Sequence, residues 1–298
     1  MAGWQPKYGK LWQPSFDVLR RSALGETLFL ADTDITDTVE FDNFSESEQE
    51  SRFFIEDVTG WYATDFSQVL FTDESGTEQS FIGDDVGRWA SLSENPLADA
   101  RQADPALHPS LVGVGNKVAA RFSNSDLSCE NFDIARNVNG FAVMGIYSVA
   151  STGSTNSVLS ITTSTASFNR IFYGVHSTGD FEAGGRRLDS DSFSSDRFGS
   201  VTTDELVCHV AIFDYQNARL IQYLNTLGGP TRDVAFQTAG TTSDTDSASI
   251  SIGGGVPTST TDRFDGDIYE LILLDYVPTQ QVVSDFMIHA RDYWGVTI

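Results

Sequence analysis

Cysteine and histidine are scarce in this chain of 298 residues. Its two cysteines, Cys129 and Cys208, are too few for a disulfide framework in a chain of this length, so we expect both to be free thiols. The four histidines lie more than four residues apart, and His209 beside Cys208 would point to the opposite face of a strand. The sequence therefore offers no local signature of a zinc site or of a Cys-His nucleophilic pair.

Positive charge is also scarce. Lys and Arg number 18 against 42 Asp and Glu, which gives a formal net charge of -24 and a pI near 4.2. A surface this negative repels the phosphate backbone, so nucleic acid is excluded as an expected partner. We interpret the charge as a contribution to solubility, with the alternative that some of the carboxylates bind cations.

Long apolar runs are missing. No segment has the 18 or more consecutive apolar residues of a membrane-spanning helix, so we expect no membrane insertion. The N-terminal segment 1–10 contains basic residues without an apolar block after them, which is not the pattern of a secretory signal. The sequence therefore predicts a soluble protein made in a cytosol.

Helical periodicity is scarce, and short runs rich in Val, Ile, Phe, Tyr and Thr recur between Gly, Ser, Asp and Asn clusters. This pattern predicts an all-β sandwich or barrel over residues 58–298. Ser-, Thr-, Gly- and Asp-rich segments at 151–157, 177–200 and 237–247 are predicted to be exposed loops. One short amphipathic helix is predicted over Val282–Val296. The clearest predicted strands are Gly140–Tyr147, Val158–Thr162, Arg170–Val175, Leu206–Phe213, Ala218–Leu224, Ala248–Ile252 and Ile268–Leu274.

The first 57 residues differ from the rest. Pro6 and Pro14 rule out one continuous helix and indicate an extended arm, which we assign to residues 1–57. A free arm of this kind would be disordered, so we expect its own domain or a neighbouring molecule to hold it. Four aromatic residues spaced four apart are its candidate anchors: Trp4, Tyr8, Trp12 and Phe16.

From Gly60 onward, several segments follow one another in a distinctive order and spacing: Leu70–Gly76, Val86–Trp89, His108–Val112, Ala119–Phe122, Gly140–Val143, Tyr223–Asn225 and Phe264-x-Gly266-x-Ile268-x-Glu270. Together they resemble the concanavalin A-like lectin/glucanase sandwich, in the laminin G-like form found in virion proteins of tailed bacteriophages. The resemblance implies a jelly roll of two antiparallel sheets that binds glycans or neighbouring virion proteins. It also implies that the N-terminal arm attaches the chain to the particle.

Carboxylates on the last predicted strand were weighed as catalytic acids. Sandwich enzymes that cut β-glucans carry a Glu-x-Asp-x-Glu motif, which places two acids on one strand face. Here Asp267 and Glu270 are three residues apart, so we expect them on opposite faces, and no catalytic residue is assigned. Three groups of acidic residues offer oxygen ligands for calcium, but we favour the interpretation that they are solvated loop acids. The groups are Asp262 with Asp265 and Asp267, Asp244 with Asp246, and Asp189 with Asp191.

Glycan binding commonly uses aromatic faces with convergent hydrogen-bonding groups on loops. Tyr173, Phe193 and Phe198, near the predicted loop 177–200, are candidates, with core packing as the alternative. Arg186 and Arg187 are two adjacent cations in the same segment. We favour pairing of these arginines with their own acidic neighbours, with saccharide binding as the alternative.

The function predicted from these observations is that of a non-enzymatic bacteriophage virion structural protein: a fibre, a spike or a head decoration. It would be located in the virion, without a cofactor, and form a homo-oligomer that contacts other virion proteins and host-surface glycans. The alternative is a polysaccharide depolymerase on the same sandwich.

Overall fold

The computed structural model describes residues 58–64, 70–93, 98–130, 133–163, 166–245, 247–254 and 262–298. The predicted arm with Trp4, Tyr8, Trp12 and Phe16 lies outside the described residues, so the division at residue 57 stays a prediction. The strands are β1 (Gly60–Ala63), β2 (Leu70–Phe71), β3 (Arg88–Trp89), β4 (Ala100–Arg101), β5 (Ser110–Val114), β6 (Lys117–Ser123), β7 (Leu127–Glu130), β8 (Gly140–Val149), β9 (Asn156–Thr163), β10 (Ala166–Val175), β11 (Phe181–Gly185), β12 (Ser194–Phe198), β13 (Val207–Asp214), β14 (Arg219–Leu224), β15 (Arg232–Ala235), β16 (Ser247–Ile252) and β17 (Asp265–Leu274).

These strands form two antiparallel sheets. Sheet I has the order β15-β14-β13-β8-β17-β6-β5, and β1 pairs with the second half of β17. Sheet II has the order β12-β11-β10-β9-β16-β7-β4-β3-β2. The prediction of an all-β, two-sheet sandwich is therefore confirmed.

The core between the sheets is rich in aromatic side chains. Tyr147 packs edge-to-face on Tyr173, and the Tyr173 ring stacks on His209 with centroids 4.7 Å apart. Tyr147 and Gln222 hydrogen-bond the two ring nitrogens of His209, at 3.0 Å and 3.1 Å. Burial lowers the pKa of His209 to about 4, so at neutral pH the imidazole is an uncharged core residue.

The outer face of sheet I is covered by the C-terminal helix. The helix α1 (Gln280–His289) begins at Thr279, whose hydroxyl accepts a hydrogen bond from the Val282 amide, and continues as a π-helical turn, Ala290–Trp294. Gly295 ends it in the left-handed conformation. Because core and helix cover both faces of sheet I, all ten residues of β8 are buried. The predicted helical ending is confirmed.

The prediction of a loop over 177–200 is wrong for Phe181–Gly185 and Ser194–Phe198, which form β11 and β12 on either side of its centre. The sequence of β12 is polar, and the strand lies at the edge of sheet II, where its main chain pairs with β11 alone. Main-chain hydrogen bonds hold such an edge strand in place. It therefore needs no alternation of apolar and polar residues, which is the pattern that predicts a strand from sequence.

Candidate functional site

A cleft of about 520 Å³ opens at one end of the sandwich, and we call it the loop-end cleft. It forms there because β8 begins at Gly140, which pairs with Asp214 at the end of β13, while β17 ends beside β8. The chain segments before β8, after β13 and after β17 therefore meet at one place. The lining residues are Asn137, Val138, Asn139, Gly140, Asp214, Gln216, Asn217, Asp275, Tyr276 and Val277.

The side chains of the loop-end cleft are mostly amides and carboxylates. Four of them carry exposed amides, each of which donates and accepts hydrogen bonds: Asn137, Asn139, Gln216 and Asn217. Asp275 is exposed, Asp214 is buried, and Tyr276 adds a half-buried aromatic ring. The lining contains no Lys, Arg or His. This composition suits a polar, uncharged ligand with many hydroxyl groups.

The turn between β13 and β14 is held rigidly. The carboxylate of Asp214 accepts hydrogen bonds from the Asn217 backbone amide at 3.1 Å and from its side-chain amide at 2.8 Å. The backbone amide of Gln216 donates to the carbonyl of Asn139 at 2.9 Å, which joins the turn to the segment before β8. Tyr215, between them, is fully buried and stacks on Phe213. The two loops therefore present their amides in a fixed relation.

Arg170 anchors the surrounding loops from within. Its side chain is 2% exposed and donates to the carbonyls of Ala135 and Thr245, at 3.1 Å and 3.0 Å, and to the Asp189 carboxylate at 3.1 Å. Burial alone would raise the pKa of Asp189, but hydrogen bonds from Thr245 and Arg170 hold that pKa below its ordinary value. One buried guanidinium thus joins three loops that sequence analysis treated separately.

The loop after β15 supports the cleft from the side. Val138 and Thr242 are joined by two hydrogen bonds, and the backbone amide of Asn137 donates to the carbonyl of Ser243. Arg136 adds ion pairs to Asp133 and Asp244. These contacts fix the segment before β8, which contributes Asn137, Val138 and Asn139 to the cleft lining.

The predicted glycan-binding arginines lie beside this supporting loop. Arg187 donates to the hydroxyl of Thr238 at 2.8 Å and to the carbonyl of Thr241 at 3.0 Å. Arg186 donates to the backbone carbonyl of Asp191 at 2.9 Å, so the favoured pairing of these cations with neighbouring carboxylates stays a prediction. Neither arginine lines the loop-end cleft. Their glycan-binding role stays a prediction.

The predicted glycan-binding aromatics do not share one surface. Phe193 is 40% exposed. Phe198 is partly buried and packs on Phe181 and His209. Tyr173 is fully buried, and its hydroxyl donates to the carbonyl of His209 at 2.6 Å. Tyr173 thus follows the core-packing alternative and has no surface that faces solvent, while the roles of Phe193 and Phe198 stay predictions.

The two strand acids are both committed to structural contacts. Arg121 holds Asp267 by two hydrogen bonds, at 2.7 Å and 2.8 Å, and Glu270 is buried under the terminal helix. The expectation that they face opposite ways is wrong. The register of β17 against β8 shifts between Ile268 and Glu270, so a bulge places both acids on the helix side of sheet I. Tyr269 lies between them and packs on Trp294, which hydrogen-bonds Glu270.

The calcium candidates have protein partners where they are described. Asp265 accepts a hydrogen bond from Ser151, Asp189 accepts from Arg170 and Thr245, and Asp244 pairs with Arg136. Within the described ranges, no group of three or more His, Cys, Asp or Glu side chains is placed to hold a metal ion. A calcium site stays a weak prediction. No helix in the described part of the chain is long and apolar enough to cross a membrane.

Sequence reasoning missed the loop-end cleft as a site. It gave no function to Asp214–Asn217, the turn between two predicted strands. The available signal was a second run of amides, Asn137-Val138-Asn139, directly before the long buried strand β8. Nothing in the sequence shows that these runs and Asp275–Val277 meet, because they are far apart along the chain.

The fold is similar to that of several solved carbohydrate-related proteins. The sialidase of Trypanosoma rangeli matches with a TM-score of 0.53 at 11% identity, over 80% of this chain and 33% of the sialidase. The same sialidase with sialic acid bound matches with a TM-score of 0.52 at 11% identity, over 80% and 34% of the two chains. The CBM40 domain of a Ruminococcus gnavus sialidase, bound to α2,6 sialyllactose, gives a TM-score of 0.42 at 14% identity, over 50% and 84%.

These matches show the fold and nothing finer. The chain spans about a third of the length of the Trypanosoma sialidase, so the activity of that whole protein does not transfer with the fold. No protein-family model and no curated protein sequence matches the chain. The sandwich implied by the sequence resemblance is confirmed, while the concanavalin A-like and phage assignments stay predictions.

The prediction of a non-enzymatic protein is wrong. Solved structures of the Trypanosoma rangeli sialidase, an enzyme, share the fold with TM-scores above 0.5, so this sandwich gives no reason to exclude catalysis. The structure brings two carboxylates to one cleft, that of Asp214 at the end of β13 and that of Asp275 directly after β17.

Proposed function

We propose that this protein recognises carbohydrate in the loop-end cleft. The observation that carries the proposal is the cleft lining, which combines four amide side chains, two carboxylates and Tyr276. Sugars present many hydroxyl groups that both donate and accept hydrogen bonds, and amides and carboxylates are the matching protein groups. An aromatic ring adds an apolar face for the C–H side of a sugar.

The fold supports the same proposal. The Trypanosoma sialidase that shares it was solved with bound sialic acid, so a sandwich of this kind occurs in a protein that handles sugars. The rigid hydrogen bonding of Asp214 and Gln216 supports it further. Loops already held in place lose little conformational entropy when a ligand binds.

A glycan array followed by calorimetric titration tests the proposal. We expect saturable binding of at least one glycan, and Asn139→Ala should weaken its Kd about fivefold, since one hydrogen bond contributes about 1 kcal/mol. Asn116→Ala is the matched control, because Asn116 is an exposed asparagine in the turn between β5 and β6, at the far edge of sheet I. Equal affinities of the two variants would place binding elsewhere, and no binding to any glycan would reject the proposal.

The proposed setting is a bacteriophage virion, which rests on the sequence resemblance alone. In this proposal the arm 1–57 docks on the particle through Trp4, Tyr8, Trp12 and Phe16, and the sandwich faces outward as part of a homo-oligomer. Deleting residues 1–16 should leave a folded sandwich that still binds its glycan but does not join particles. Normal incorporation of the truncated chain would reject the docking role of the arm.

A second candidate function is hydrolysis of the bound glycan. It is favoured by one observation, that Asp214 and Asp275 line the same cleft, since most glycosidases place two carboxyl groups around the scissile bond. A reducing-end assay on the glycan identified by the array tests it. Product should form with the natural chain and not with Asp275→Asn. A glycan that binds the cleft without releasing reducing ends would reject hydrolysis and leave recognition intact.

A further inference from the structure

The loop-end cleft carries negative charge without a compensating cation. Asp275 is exposed at its edge and Asp214 lies in its wall. No ion pair among the described residues involves either carboxylate, and the lining contains no Lys, Arg or His. An anionic ligand in this cleft would therefore face two carboxylates and no local counter-charge.

The arginines next to the cleft already have partners. Arg136, beside Asn137, pairs with Asp133 and Asp244. Arg219, at the end of the β13–β14 turn, pairs with Asp233. To reach an anion in the cleft, either arginine would have to leave its present carboxylate, which offsets much of the gain.

The charge of the whole molecule acts in the same direction. A formal net charge of -24 lowers the local concentration of anionic ligands around the surface, whereas a neutral sugar is unaffected. Local and global electrostatics thus disfavour the same ligands.

From these observations we infer that the loop-end cleft selects uncharged glycans and discriminates against glycans that carry a carboxylate, such as sialylated or uronic-acid-containing ones. The inference rests on the proposed function, because it names the ligand class of the same site. It separates this protein from the sialic-acid-bound structures that share its fold: the amides bind hydroxyl groups, and Asp275 repels an acidic sugar through like-charge contact.

The test uses an array of neutral gluco-, galacto- and manno-oligosaccharides together with their sialylated and uronic-acid counterparts. The best neutral probe and its carboxylated counterpart are then titrated by calorimetry against the full chain. We expect the neutral probe to bind at least about tenfold more tightly, which corresponds to about 1.4 kcal/mol. Higher salt should narrow this difference by screening the charges, and should leave the affinity for the neutral probe unchanged.

Asp275→Asn removes the exposed carboxylate and keeps the shape of the side chain. It should raise the affinity for the carboxylated probe about tenfold relative to the affinity for the neutral probe, because the amide keeps a hydrogen-bonding group for hydroxyls and no longer repels a carboxylate. Asp85→Asn is the matched control. Asp85 is exposed beside the edge strand β5 and lies outside the cleft lining, so this substitution removes the same charge away from the site. A carboxylated probe that binds as tightly as the neutral one, or equal effects of the two variants, would overturn the inference while glycan recognition stands. An array without any bound glycan would overturn both.

Discussion

At the scale of single residues, Glu270 is a buried carboxylate held by several hydrogen bonds. It is 1% exposed, and three donors surround it: Trp61 at 2.7 Å, His289 at 2.8 Å and Trp294 at 2.6 Å. Burial alone would raise the pKa of Glu270, but the charge of His289 and these hydrogen bonds hold that pKa below its ordinary value. The carboxylate joins β1, β17 and the terminal helix.

Replacing Glu270 should therefore destabilise the fold. Glu270→Gln keeps the shape but removes the charge that pairs with His289, so we expect the free energy of unfolding to fall by about 3 kcal/mol. Chemical denaturation measures this, and Glu205→Gln, an exposed glutamate, is the control. An unfolding midpoint equal to that of the natural chain would contradict this role of Glu270.

The same carboxylate predicts a pH dependence. The folded pKa of Glu270 lies below the ordinary value of 4.5, so its stabilising contribution is complete above that pH and is lost as the pH falls through the folded pKa. The stability difference between the natural chain and Glu270→Gln should shrink in acid. Denaturation curves at pH 7, 5, 4 and 3 measure it, and a constant difference would refute the assignment.

At the scale of elements, the strands carry the fold and the loops carry the candidate site. The long strands could be predicted because a strand that is buried throughout, such as β8, has a largely apolar sequence. The terminal helix could be predicted because its amphipathic segment is followed by Gly295, where the helix ends. The strand β12 and the bulge in β17 could not, since main-chain pairing with a neighbouring strand decides both. The positions of the loops depend on contacts between segments that are distant along the chain, and Arg170 makes several of these contacts.

The hydrogen bonds of Arg170 predict that the stability of the surrounding loops affects glycan affinity in the cleft. Arg170→Met keeps the apolar stem but leaves the carbonyls of Ala135 and Thr245 without this donor and Asp189 without its cationic partner, so stability should fall by about 2 to 3 kcal/mol. Amide exchange in the segment 133–139 should accelerate, and glycan affinity should fall with it. Arg291→Met, which removes only an exposed pair with Asp292, is the control. Unchanged amide exchange would mean that the loops hold without Arg170.

At the scale of the whole molecule, the sandwich encloses both cysteines of the chain. Cys129 and Cys208 are fully buried and free, which confirms the expectation of free thiols. Burial raises the pKa of the Cys129 thiol to about 12, so almost no reactive thiolate forms at neutral pH. Labelling of the two thiols therefore measures the opening of the whole sandwich.

A thiol-reactive reagent should label neither cysteine in the native protein and both in denaturant. A reducing agent should leave the melting temperature unchanged, because there is no disulfide to break. Mass spectrometry counts the labels. Rapid labelling of Cys129 under native conditions would show that the two sheets separate locally.

The all-β class, the free thiols and the closing helix follow from the sequence, because each depends on composition or on periodicity within a short segment. Tertiary contacts alone fix where the loops meet, that Tyr173 is a core residue, and that Asn139, Gln216 and Asp275 share one cleft. Local backbone preference and burial act over a few residues. The cleft, in contrast, is assembled from the separate segments 137–140, 214–217 and 275–277, whose meeting point is fixed by strand pairing and by buried contacts such as those of Arg170.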